Sequence, residues 1–161
     1  MKKIIIMRHA KSDWENSSLS DIERPLNSRG KKEAPLMGKE LIKRKLIPEI
    51  MISSPAVRAQ ETARTVAENF DFGSEIIIDE GFYFGTLNTV IQSLKLLPDS
   101  CNSVMIFGHN PTWESLVSLL SGKFPEMPTA AVAVLTFPGK IWNDLAESKC
   151  SLEALIIPKD I

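Results

Sequence analysis

The chain has 161 residues, 43% of them hydrophobic and 24% charged, and a net charge of -1. That size and balance suit one soluble domain with a sizeable core, and they exclude a disordered or low-complexity polymer. Near-neutral charge removes the basic face that nucleic acid or an anionic membrane would require, so neither is expected as a partner.

Cys101 and Cys150 have no C-x-x-C spacing and no histidine nearby, so both are expected as buried or incidental thiols. Lys2 and Lys3 precede an apolar run that ends at Arg8, too short for the core of a signal peptide. No segment is long enough to span a bilayer, and a cytoplasmic enzyme or binding domain is the expectation.

Short apolar runs alternate with longer helical patterns, which predicts an α/β chain on a mostly parallel sheet. The first run, KIIIMR at 3–8, is apolar until Arg8, as in a strand buried on both faces. A helix is expected over 28–45, capped by Asn27 or Ser28, with Pro35 either kinking it or marking a later start. Lys43, Arg44 and Lys45 read as its exposed end. EIMIS at 49–53 predicts a second strand, followed by a helix over 55–70 with Ser54 as cap and Pro55 in the first helical position. Ala56, Ala59, Ala63 and Ala67 suggest that this helix packs closely on the sheet. EIIID (75–79), SVMIFG (103–108), AVAVLTF (131–137) and SLEALII (151–157) complete six strands. Further helices are expected over 86–97 and over 111–121, the latter entered through Asn110 and Pro111. GKIWNDLAESKC reads as a turn and a short irregular piece. With no repeat and no linker, residues 1–161 are expected to form one domain.

Ligands of open parallel sheets sit beyond the carboxyl ends of the strands. Arg8 and His9 end the first predicted strand, His109 ends the fourth, and Arg58 opens the helix after the second. Either histidine alone reads as structural, but two at equivalent strand ends, joined by two arginines, have the makings of an anion site. The set lacks the spacing of a metal site, and the chain has no Walker-type or G-x-G-x-x-G loop. Neither a metal nor a cofactor is expected.

MRHAKSDW, RPLNSRG, SSPAVRAQETA and GHNP, in this order and spread over nearly the whole chain, resemble the histidine phosphatase superfamily, most closely its small SixA-type phosphohistidine phosphatases. The resemblance implies a three-layer α/β/α sandwich of phosphoglycerate mutase type, with a mostly parallel six-stranded sheet and no large insertion. It implies His9 as the nucleophile of an R-H-G motif, with Ala10 where many relatives have glycine, and a phosphohistidine intermediate. Arg8, Arg58 and His109 would then hold the phosphoryl oxygens, His109 in its protonated form.

Glu80, just beyond the third strand and next to Asp79, is the candidate acid for the leaving group; the alternative is a solvated strand-end carboxylate. Lys11 and Ser12 follow the nucleophile and could touch phosphate, although Lys11 reads more readily as part of a solvated loop. Arg24, held extended by Pro25, either contacts substrate or braces its loop. Asn110 is expected as a cap, Trp14 at the entrance or in the core, and Met7, Phe107, Trp113 and Trp142 in packing.

A poor match to a dedicated acid, together with short loops, suits an imidazole leaving group on another protein. The expected activity is therefore hydrolysis of phosphohistidine on a phosphorylated protein. Two rivals are a phosphomonoesterase or phosphoglycerate mutase-like enzyme acting on a small metabolite, and a catalytically silent phosphate-binding module. The sequence leaves the oligomeric state open.

Overall fold

A computed structural model describes all residues 1–161. The strands are β1 (Lys2–Arg8), β2 (Ile50–Ser53), β3 (Ile77–Ile78), β4 (Ser103–Gly108), β5 (Val132–Phe137) and β6 (Ser151–Ile156). The helices are α1 (Ser28–Lys43), α2 (Val57–Asn69), α3 (Gly81–Phe84), α4 (Leu87–Lys95) and α5 (Thr112–Ser121). The six strands form one sheet in the order β3-β2-β4-β1-β5-β6. β1 pairs parallel with β4 and antiparallel with β5, β2 is parallel to both β3 and β4, and β6 is antiparallel to β5. Only β5 therefore runs against the rest, and the sheet is mostly parallel.

The unbroken apolar run of β1 follows from its central place. Side chains alternate across a strand, so Ile4 and Ile6 enter one core while Ile5 and Met7 enter the other. The first core lies under α4 and α5 with Trp113, Leu116 and Leu120; the second lies under α1 and α2 with Met37, Leu41 and Val66. The expected packing residues Met7, Phe107, Trp113 and Trp142 are fully buried, and both cysteines are buried free thiols. No helix is long and apolar enough to cross a membrane.

The start and cap of α1 are as expected, while other local expectations are corrected. α1 begins at Ser28, with Asn27 accepting from the Gly30 N–H, and runs through Pro35. The carbonyl that Pro35 cannot serve belongs to exposed Lys31, where water can reach it, while Ala34, Met37 and Leu41 hold the helix to the sheet. β3 has two residues instead of five, since it is an edge strand paired only at Ile52 and Ser53. Neither Ser54 nor Asn110 is a helix cap: α2 is entered through Ala56 and α5 through Pro111. Both polar side chains are used at the site described next.

Candidate active site

The carboxyl ends of β1, β2 and β4 meet at one edge of the sheet. His9 follows β1, where its N–H donates to the Gly108 carbonyl at 3.0 Å and its carbonyl accepts from Ala130 at 3.0 Å. The next peptide is tied to α2, because Ala10 N–H donates to Thr62 Oγ1, which in turn donates to the Arg58 carbonyl. Gly108 has a packing role beneath this edge. A Cβ there would press on the Trp113 ring, whose indole N–H donates to the Met7 carbonyl at 3.0 Å.

A cavity of about 290 Å³ collects Arg8, His9, Lys11, Ser12, Arg24, Arg58 and His109, together with Trp14, Asp21, Asn110 and Thr129. The two histidine rings are 5.2 Å apart between centroids. His9 Nδ1 lies 2.7 Å from the Ala10 carbonyl. A carbonyl oxygen can only accept, so Nδ1 carries the proton and Nε2 of the neutral ring keeps its lone pair. Burial, reinforced by Arg58 and Arg8, pushes the His9 pKa down to about 4. His109 Nε2 pairs with Ser54 Oγ at 2.8 Å, and that hydroxyl also accepts from Ala56 N–H. Its pKa is pushed down to about 3, by burial first and then by His9 and Arg58. With that pKa the His109 ring by itself is neutral near pH 7, and a phosphate dianion beside it would raise its basicity toward the expected protonated form.

Three buried side-chain atoms in the chain lack any hydrogen-bond partner: Arg8 Nε, His109 Nδ1 and Asn110 Oδ1. All three belong to residues lining this one cavity. Unpaired buried donors are costly, and a phosphoryl group would supply acceptors for the arginine and the histidine.

The remaining expected residues divide. Arg24 lines the cavity and donates one N–H each from Nε, Nη2 and Nη1 to the Asp13 carbonyl, Ser12 Oγ and Asp21 Oδ1, contacts of the kind that brace a loop. Ser12 is buried in that contact, and Lys11 lines the cavity. Trp14 is 70% exposed at the mouth, its ring stacked 3.2 Å above the Arg24 guanidinium. Asn110 Nδ2 donates to the Met127 carbonyl. Glu80 does not line the cavity; it is exposed at the start of α3, while Asp79 is spent on Gly81 N–H and Ser93.

The carboxylate that does line the cavity is Asp21, which no sequence motif marks beyond its place three residues before Arg24. Its Oδ2 accepts from the Tyr83 hydroxyl at 2.6 Å and Arg58 Nη2 at 3.0 Å, and its backbone carbonyl accepts from Arg58 Nη1. The Tyr83 hydroxyl, with Arg58 and Arg24, holds the Asp21 carboxyl below the usual range. Ser54, Thr62, Tyr83 and Thr129 were also not singled out as site residues, because their roles depend on contacts between distant segments.

A family model described as histidine phosphatase superfamily (branch 1) matches residues 4–83. The phosphohistidine phosphatase SixA homolog of Haemophilus influenzae is 37% identical over 130 residues, 74% of this chain and 77% of that protein. The chain belongs to the histidine phosphatase superfamily. Escherichia coli phosphohistidine phosphatase SixA is 31% identical over 138 residues, 83% of this chain and 84% of that one. The solved structure of the protein histidine phosphatase SixA complexed with tungstate superposes with a TM-score of 0.85 at 25% identity, over 98% of each chain. Within the superfamily the chain falls in the SixA-type branch, with the fold of its phosphoglycerate mutase-like members.

Proposed function

We propose that this phosphatase, acting through residues 1–161 as one domain, hydrolyses phosphohistidine on a protein by way of a phosphohistidine formed on His9. Nε2 of neutral His9 attacks phosphorus in line, and the P–N bond to the substrate imidazole breaks as the His9–P bond forms. Arg8, Arg58 and His109 share the charge of the equatorial oxygens, and His109 gains basicity from the dianion beside it. Water then cleaves the His9–P bond, releasing inorganic phosphate and restoring the neutral ring.

The observation that carries the choice of substrate is the state of the cavity's carboxylate. Asp21 is hydrogen-bonded by Tyr83 and Arg58 and held ionised, which makes it a poor proton donor. An alkoxide leaving group, related to water with a pKa of about 15.7, needs an acid. A phosphorylated imidazole can instead take a proton on its own second nitrogen, with a conjugate acid near a pKa of about 6.5, and leave as a neutral ring. The names of the SixA relatives agree with this reading.

A rate panel tests it: a phosphohistidine protein, a phosphoserine peptide, 3-phosphoglycerate and an aryl phosphate, all in EDTA. The expected result is a clear preference for phosphohistidine and no effect of the chelator, since Arg8 and Arg58 supply the positive charge and His109 a hydrogen bond. Preference for 3-phosphoglycerate would overturn the substrate. Tight phosphate binding without turnover of any of the four would leave a binding module.

A further inference from the structure

Three cavities run in a row from the phosphate site. The site's own cavity shares Arg8 and Asn110 with a second, of about 580 Å³, which shares Glu114 and Glu126 with a third, of about 630 Å³. One loop, between α5 and β5, walls the whole row: Thr129 lines the phosphate cavity, Met127 and Pro128 the second, and Phe124 and Pro125 the third. The loop is anchored at its middle. The Met127 carbonyl accepts from Arg8 Nη1 at 3.0 Å and Asn110 Nδ2 at 2.9 Å, and its N–H donates to Glu114 Oε2 at 2.7 Å. The groove is therefore fixed to the same arginine that faces the phosphate.

Its chemistry changes with distance from phosphorus. The second cavity holds Arg8 and Lys159 with Glu114 and Glu126, and the third holds Glu114, Glu126 and Glu147 with no cation. None of the chain's ion pairs uses Glu126 or Glu147. At the far end Phe124 is 84% exposed beside Leu87 and Leu119, an aromatic ring that the fold itself does not cover.

We propose that this groove seats the polypeptide flanking the phosphorylated residue, with a basic side chain between Glu126 and Glu147 and an apolar one on Phe124. The proposal rests on the phosphohistidine-protein reading above and names the kind of protein sequence that carries the phosphate. Charge complementarity points to a cationic partner segment, and continuity with the phosphate cavity points to the substrate itself. Aromatic residues in such grooves carry a large share of binding energy.

The test compares the wild type with the double variant Phe124→Ala, Glu126→Gln, neither residue lining the phosphate cavity. The probes are phosphoramidate, a phosphohistidine peptide flanked by Arg and Leu, and one flanked by Glu and Gly. The wild type is expected to prefer the Arg/Leu peptide in kcat/KM. The variant loses about tenfold on it through KM, while its rate on phosphoramidate stays within about twofold. Equal use of both peptides, or an unchanged preference in the variant, overturns the groove and leaves the phosphohistidine reading in place. Failure of the wild type on all three probes, with an aryl phosphate still cleaved, overturns both. A wild-type dimer that the variant dissociates assigns the groove to a second copy and also overturns the proposal.

Discussion

The Ala10 carbonyl acts on His9 by excluding one of its two neutral tautomers, since an acceptor 2.7 Å from Nδ1 requires a proton there. In the proposed mechanism this aims the lone pair of Nε2 without any neighbouring base. His9→Ala is therefore expected to abolish turnover while circular dichroism and thermal unfolding still report a folded protein; appreciable residual turnover would remove His9 from the nucleophile role. Asp21 makes a second prediction. Arg58 donates to both its carboxylate and its backbone carbonyl, so Asp21→Ala releases half of what orients the guanidinium. The expected outcome is about a tenfold fall in kcat/KM on an aryl phosphate, chiefly through KM. A rise would mean that the carboxylate obstructs the anion. Arg8, His9, Arg58 and His109 were legible because each sits at a strand end or in a first helical turn, where topology alone assigns a direction. Asp21 was not legible, because it reaches the cavity only by way of a loop folded back onto Arg58 and Tyr83.

At the scale of elements, α1, α2, α4 and α5 start within two residues of expectation and β1 and β4 keep their expected lengths within a residue, whereas two of the capping residues are not as expected. Ser54 and Asn110 carry the residue types of good caps, yet the Ser54 hydroxyl pairs with His109 and the Asn110 amide with Met127. Local propensity yielded to site chemistry that no local pattern encodes. Asn27 is a cap in fact, and Asn27→Ala is expected to cost about 1 kcal/mol in urea denaturation. Gly30 in the same first turn has a larger effect on function. A Cβ there would collide with the Lys11 carbonyl, on the loop that continues from His9 to Ser12. Gly30→Ala should therefore lower both stability and kcat/KM, and loss of stability alone would mean that the loop absorbs the methyl group without moving the site.

Over the whole molecule, the two histidines tie stability to pH. Unfolded, both titrate near the usual value of about 6.5; folded, they remain neutral until about 4 for His9 and about 3 for His109. Below about pH 6.5 the unfolded chain binds protons that the folded chain refuses. Stability contributed by the neutral rings is therefore complete above that pH and is lost progressively down to about pH 3. Denaturation at pH 7 and pH 4.5 should show a drop that His109→Asn reduces by its own share. An identical drop in the variant would mean that carboxylates alone account for it.

β1 lies between β4 and β5, with Ile5 opposite Met105 on one side and Val134 on the other. During synthesis this Ile-rich segment is made well before either neighbour, since β4 and β5 lie about a hundred residues or more further along the chain. It cannot pair with β4 until the chain extends past residue 108, nor with β5 until it passes residue 137, and until then only Lys2, Lys3 and Arg8 guard the isoleucine run against pairing with other chains. The strand that leads into His9 in the finished protein is thus also one that needs protection in the nascent chain.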